Sequence, residues 1–200
     1  MRAAVQWHNC DVAICSHPPR EQQTVPFSHA VLPGVGSFAT GMRSLVLRGW
    51  DHWLREHWQP SQRPLLGICL GMQLLASEGS EGIQEGAPMI QGLGLVPGTV
   101  QRLPPCPGFT LPHVGWNTVD FQSDPMPLAA GLPPRGDFYF LHSYALQVTD
   151  PADALATTEY GSTFTAVVGR GHCFGVQFHP EKSQKLGRRL LANFLQLAPC

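Results

Sequence analysis

The sequence predicts a three-layer α/β fold, a central mixed sheet, mostly parallel, with helices on its faces, as one domain over residues 1–200. Three observations carry this. Of 200 residues, 43% are hydrophobic and only 14% charged, enough apolar surface for one continuous core. Short apolar runs of strand length are interspersed with segments whose apolar residues recur at helical spacing. Between Pro64 and Ala76 a strand, a sharp turn and a helix follow one another without a spacer.

Taken in order, Asp11 to Cys15 (DVAIC) reads as a short buried strand and His29 to Leu32 as a second, which runs straight into Pro33-Gly34-Val35-Gly36. Gly41 to Trp58 carries Met42, Leu45, Val46, Trp50, Trp53 and Leu54 at roughly helical spacing, interrupted by Gly49. Pro64 to Ile68 makes a strand, Cys69 a turn, and Leu70 to Ala76 a helix that stops near Glu78-Gly79. From Gly82 to Gly136 the chain is rich in Gly and Pro and is expected to be mostly β, with strands at Leu93 to Val96, Gly98 to Arg102 and Asn117 to Phe121. A smaller β-rich region is expected from about Gly92 to Asp124. Strands follow at Phe138 to Ser143, Ala154 to Thr158, Thr165 to Val168 and Cys173 to Phe178. A closing helix from about Ser183 to Leu197 puts Leu186, Leu190, Leu191 and Phe194 on one face.

Thirteen Lys and Arg against 14 Asp and Glu give no electrostatic case for nucleic acid or an anionic membrane. A small, weakly charged substrate or a protein partner fits better. Without an apolar run of about 18 residues or a secretory leader pattern, a cytosolic protein is expected. The six cysteines lack paired CxxC spacing, so a reduced state is the default, and only Cys69 sits in a context that demands explanation. No cofactor and no metal are expected.

That context is Gly67-Ile68-Cys69-Leu70-Gly71, a nucleophile between two glycines at a strand-to-helix junction. A side chain forced into a strained turn needs neighbours without Cβ where strand and helix crowd together. The helix N-terminus favours thiolate over thiol, and the Leu70 N–H is placed to donate to an oxyanion. Alone, the pattern is equally that of a structural turn. His179-Pro180-Glu181 follows the Cys173 to Phe178 strand, and residues two apart on an extended segment share a side. His179 would take the thiol proton and return it to a leaving group, with Glu181 fixing its tautomer, although HPE by itself also describes a solvated surface turn. The Pro33–Gly36 turn offers a second oxyanion donor. All three strand ends would meet on one edge of the sheet.

The segments LPGVGSF, LLGICLGMQLL and GVQFHPEKS, in this order and spacing, resemble the class I glutamine amidotransferases, which have a flavodoxin-like three-layer fold. Within the class, PHVGWN (112–117), LHSY (141–144) and HPEKSQKLGRRLLANFL (179–195) are similar to the glutaminase subunits of imidazole glycerol phosphate synthase. The resemblance implies a triad of Cys69, His179 and Glu181, and an oxyanion hole from Leu70 and the Val35–Gly36 peptide. It implies that Gln73 and the backbone of His142, Ser143 and Tyr144 hold glutamine. Trp116 and Asn117 would face a synthase subunit, with Tyr144 and Lys182 near the passage taken by ammonia. That partner, a (β/α)8 barrel forming a heterodimer with the chain, would make imidazole glycerol phosphate and an aminoimidazole carboxamide ribotide in histidine biosynthesis. Family members begin with a strand and a DYGxGN-like loop. Here residues 1–9 enter directly at the helix that should follow, so a central N-terminal strand is missing and the true start is expected upstream.

Three other readings stand beside this one: a glutaminase serving a different synthase, such as a sugar-modifying one; a non-catalytic interaction subunit; and a protease or other Cys–His hydrolase.

Overall fold

The structure, a computed structural model, describes residues 10–19, 27–84, 86–121 and 126–198. β1 (Ala30–Gly34) lies parallel to β2 (Leu65–Cys69), in register from Ala30 opposite Leu65 to Gly34 opposite Cys69. Every residue of β2 is buried, the pattern of a strand covered on both faces. Between them run α1 (Phe38–Leu47) and the short α2 (Trp50–Trp53). The helix expected over residues 41–58 starts three residues earlier, because the Ser37 hydroxyl accepts the Thr40 N–H at 3.3 Å as an N-cap. It breaks at Gly49, whose φ of 75° is left-handed, and continues from α2 into a π turn over Leu54–Trp58.

α3 (Leu70–Leu74) follows Cys69 at once and ends two residues before the expected stop. The cause is the segment over residues 93–96, expected as a strand. It caps the helix instead: the Leu93 N–H donates to the Leu74 carbonyl at 2.9 Å, and Leu95 and Val96 donate to Leu75 at 2.9 and 3.0 Å. N–H groups spent on the orphan carbonyls of a helix end are not available to a sheet ladder.

The remaining elements are β3 (Glu78–Gly79), β4 (Ile90–Gln91), β5 (Gly98–Arg102), β6 (His113–Phe121), β7 (Arg135–His142), β8 (Tyr144–Val148), β9 (Ala154–Tyr160), β10 (Ser162–Arg170), β11 (Cys173–Val176) and α4 (Gln184–Leu195). Seven strands form one mixed sheet in the order β1-β2-β11-β10-β9-β6-β7, and β4-β3-β5-β8 form a second. The sheet is mixed as expected, but the parallel majority is not found. Among the described residues of this sheet only β1 with β2 and β2 with β11 are parallel, while β11 with β10, β10 with β9, β9 with β6 and β6 with β7 are antiparallel. The turns at Gly161 (φ 70°) and Gly171 (φ 57°) are too short for the crossover that a parallel pair requires. The β-rich region expected from about Gly92 is not a unit either, since β5 joins the small sheet and β6 the large one.

A second correction concerns residues 11–15. They form no strand, and Ile14 is 75% exposed. The segment runs past the α1–α2 junction, where the Ser16 carbonyl accepts from Arg48 at 3.4 Å and from the Trp50 indole at 3.3 Å, and it meets no sheet edge. The expected absence of an N-terminal strand concerns residues 1–9, which lie outside the described residues.

Two apolar cores flank the large sheet, and they make the layers. On one face α4 contributes Leu190, Leu191 and Phe194 against Leu66, Ile68, Val176 and Phe178. On the other, α1, α2 and α3 bring Phe38, Met42, Trp53 and Met72 against Leu65, Val168 and Cys173, together with Val100 and Leu146 of the small sheet. The consequence for function is positional: β1, β2 and β11 are adjacent and parallel, so their C-terminal ends open on one edge.

Candidate active site

Cys69 ends β2 with φ 54° and ψ −113°, a backbone conformation L residues rarely adopt. What holds it there is crowding. A Cβ on Gly71 would lie 1.7 Å from the Leu32 carbonyl oxygen, and one on Gly67 would lie 2.6 Å from the Gly71 carbonyl oxygen. Only glycines at both sites let β1, β2 and the start of α3 approach this closely, which is what the Gly67 to Gly71 pattern implied. The same approach sets Gly34 opposite Cys69 and carries Val35 and Gly36 past the elbow. Gly36 has φ 101° with open space around it, and Val35 is 84% exposed, so that peptide is the least confined part of the edge.

The Cys69 thiol is buried, with the Leu141 carbonyl 3.6 Å from its sulfur as one acceptor. His179 lies beside it. Its backbone is fixed twice: its N–H donates to the Tyr139 carbonyl at 2.8 Å, and its carbonyl accepts the Ser183 hydroxyl at 2.7 Å. Its Nδ1 donates to Glu181 Oε1 at 2.9 Å, leaving Nε2 buried, unpaired and able to receive a proton. Cys69, then Glu181, raises the His179 pKa to about 9 against the opposing effect of burial. Burial pushes the Glu181 carboxyl up, but the His179 hydrogen bond and charge outweigh it and hold that carboxyl below its ordinary value. Cys–His–Glu is thus a nucleophile, a strong base and a carboxylate that fixes the tautomer.

Gln73, 3% exposed, stands one helical turn beyond Cys69 on α3. Its amide donates to the Tyr144 carbonyl at 2.8 Å and to Gln177 Oε1 at 3.0 Å, and the Gln177 amide points at the Cys69 sulfur at 3.8 Å. Gln177 was not legible in the sequence beyond its place in the final strand. Tyr144 opens β8, and its carbonyl also takes the His142 Nδ1 hydrogen at 2.9 Å, while the Ser143 carbonyl accepts from the Leu103 N–H at 2.9 Å. Trp116 is 49% exposed on β6, and Lys182 lies over the Tyr139 ring at 5.3 Å. Asn117 is half-buried, its amide donating to His113 Nε2 at 3.3 Å and to the Glu159 carbonyl at 2.8 Å.

A further acidic group, Glu81, accepts the Phe38 N–H at 3.1 Å just beyond Gly36. Burial raises its pKa, and that hydrogen bond lowers it by less. A cavity of about 540 Å³ runs along the β1 end between α1 and α3, walled by Gly34, Val35, Leu70, His179 and Glu181 among others. It reaches His179 and Val35, while Cys69 itself is not among its walls. Among the described residues no group of three or more His, Cys, Asp or Glu is arranged to hold a metal, and no helix is long and apolar enough to cross a membrane.

Known proteins resemble the chain over most of its length. The profile of the family described as glutamine amidotransferase class-I matches residues 3–197. Imidazole glycerol phosphate synthase subunit HisH 1 of Prochlorococcus marinus is 51% identical over 176 residues, 87% of this chain and 81% of that one. The HisH subunit of Symbiobacterium thermophilum is 53% identical over 164 residues, 82% of this chain and 73% of its own. A solved glutamine amidotransferase superposes with a TM-score of 0.68 over 98% of this chain and 90% of that chain at 19% identity, a likeness of fold. With a thiol, a base and a carboxylate on the edge where three parallel-strand ends converge, and a family match over nearly its whole length, the chain belongs to the class I glutamine amidotransferases.

Proposed function

We propose that the protein is the glutaminase subunit of an imidazole glycerol phosphate synthase. The observation that carries the chemistry is the buried Nε2 of His179, unpaired beside Cys69 and backed by Glu181 at 2.9 Å. His179 takes the thiol proton and the Cys69 sulfur bonds to the carboxamide carbon of glutamine. The charge that develops on oxygen is met by the N–H groups of Leu70 and of the Val35–Gly36 peptide. As the C–N bond breaks, the imidazolium gives its proton to the departing ammonia, leaving a thioester on Cys69. Water, deprotonated by His179, then attacks the thioester, releasing glutamate and restoring the thiol. The ammonia passes to a (β/α)8 synthase subunit, which builds imidazole glycerol phosphate and the carboxamide ribotide.

The outer face of β6 and β7 supports a partner on this side. Val114 and Leu141 are paired across the strands and 54% and 41% exposed, with Trp116 beside them, an apolar patch of the kind that marks a docking surface. Glutamate release is to be measured with the chain alone, then with the synthase subunit and its nucleotide ligand. Strong stimulation is expected, and Cys69→Ala abolishes it while synthesis from added ammonium salt by the complex survives. Rapid constitutive turnover by the chain alone, or no response to that partner from folded protein, counts against the assignment.

A further inference from the structure

The nucleophile is linked to β6 by two runs of hydrogen bonds that meet at the Tyr144 carbonyl. A carbonyl only accepts, so the 2.9 Å contact between His142 Nδ1 and the Tyr144 carbonyl makes Nδ1 the protonated nitrogen. In a neutral ring His142 Nε2 is then an acceptor, and its 3.2 Å contact assigns the donor to His113 Nδ1. His113 Nε2 is left as an acceptor, and the Asn117 amide supplies the hydrogen at 3.3 Å, with its other hydrogen on the Glu159 carbonyl. The direction of every bond follows from the one before. From the other side Gln73 donates to the same Tyr144 carbonyl and to Gln177 Oε1, and the Gln177 amide reaches the Cys69 sulfur.

Both rings are held for this purpose. His113 is stacked between Tyr160 at 3.9 Å and Phe140 at 4.8 Å, and it faces His142 across the β6–β7 pair. Burial lowers the pKa of His113 to about 4 and that of His142 to about 3, the latter with the Tyr144 hydrogen bond opposing and the charges of His113 and His179 adding. Each ring therefore stays neutral, as the donor order requires. The relay also ties the two sheets together, since His113 and His142 belong to the large sheet and Tyr144 to the small one.

We propose that His113 and His142 are positioning residues for the amidotransferase reaction, acting through the Tyr144 carbonyl to set Gln73 and Gln177 against Cys69. This rests on the glutaminase reading above. Neither ring touches the sulfur, so their removal disturbs how a glutamine-shaped molecule is presented to Cys69, not whether the thiol reacts.

Two reagents separate those effects: a chloroketone analogue of glutamine, and iodoacetamide, each followed by peptide mass at Cys69. In His142→Leu the chloroketone reaction slows by about 10-fold or more, since sub-ångström misplacement is costly, while the iodoacetamide reaction changes by less than about 2-fold. In His142→Asn, whose amide places a donor near the lost Nδ1, the chloroketone rate returns to within about 3-fold of the parent. His113→Phe keeps the aromatic stack, removes both nitrogens and reproduces the selective loss. Unchanged chloroketone rates in His142→Leu and His113→Phe overturn the proposal, as does an equal loss with both reagents, which would make the residues merely structural. A parent protein that ignores the chloroketone while iodoacetamide reaches Cys69 overturns the glutamine reading itself, and the proposal with it.

Discussion

At Cys69 the backbone and the side chain make opposing demands. The positive φ of 54° suits glycine, yet the position carries a Cβ and a thiol because the sulfur must stand clear of both β2 and α3. Replacing the residue separates strain from chemistry. Cys69→Gly and Cys69→Ala both lose glutamine hydrolysis, but Cys69→Gly is expected to be the more stable of the two by about 1 kcal/mol, measured by denaturant unfolding, since it relaxes the strain that alanine keeps. Equal midpoints would show that the elbow is unstrained. The base makes a second prediction. Because Cys69 and Glu181 raise the His179 value to about 9, an imidazolium formed by taking the Cys69 proton keeps it through neutrality and loses it as pH rises through that value. Glutamate release, which needs that proton for the departing ammonia, therefore falls on the alkaline side near pH 9. Glu181→Gln removes one of the two main causes of the rise, so that limb of the pH–rate profile moves to lower pH. Cys69 and the HPE pair were legible because their cues are local: flanking glycines in one case, a two-residue spacing in the other. Gln177 and His113 were not, since each takes its meaning from partners far away in sequence, 104 residues for Gln177 and Gln73, 29 for His113 and His142.

Between elements, β1 approaches α3 so closely that a Cβ at Gly71 would meet the Leu32 carbonyl, and that approach sets where the Val35–Gly36 peptide, the proposed oxyanion donor, lies. Gly71→Ala puts a methyl 1.7 Å from the Leu32 carbonyl, a clash with backbone that no rotamer relieves. The strand must back away, taking Gly34, Val35 and Gly36 with it. We expect folded but destabilised protein whose Cys69 still reacts with iodoacetamide and whose glutamine hydrolysis falls at least about 100-fold, as loss of an oxyanion donor does. Near-parent hydrolysis would mean that this peptide plays no part. The helices and the strands beside the site were legible for a reason seen here: β2 is an uninterrupted apolar run and α4 has a clear helical period. Sheet direction was not. Two of the four antiparallel pairs, β9 with β10 and β10 with β11, come from the turn glycines at 161 and 171, whose effect on strand order appears only once neighbours are known. Apolar residues at 93–96 looked like a strand because a helix cap and a buried strand share the same composition.

For the whole molecule, the main question is how the apolar β6–β7 face proposed for docking communicates with the buried Cys69, and Leu141 belongs to both. Its side chain is 41% exposed in the apolar patch with Val114 and Trp116, while its carbonyl accepts the Cys69 S–H at 3.6 Å. In this arrangement the Leu141 carbonyl competes with His179 for the thiol proton. A partner seated on β6 and β7 that shifts the Leu141 peptide by a fraction of an ångström would release the S–H toward the imidazole, which gives a physical route from docking to glutamine hydrolysis. Trp116 is the largest exposed side chain of that patch, so Trp116→Ala should weaken association with the synthase subunit by at least about 10-fold, as loss of an aromatic anchor does. The informative measurement is glutamate release titrated with the partner. If Trp116 only anchors, the titration curve moves to higher partner concentration and reaches the parent plateau. If the plateau itself falls, the indole takes part in shifting β7, and docking and activation share a residue.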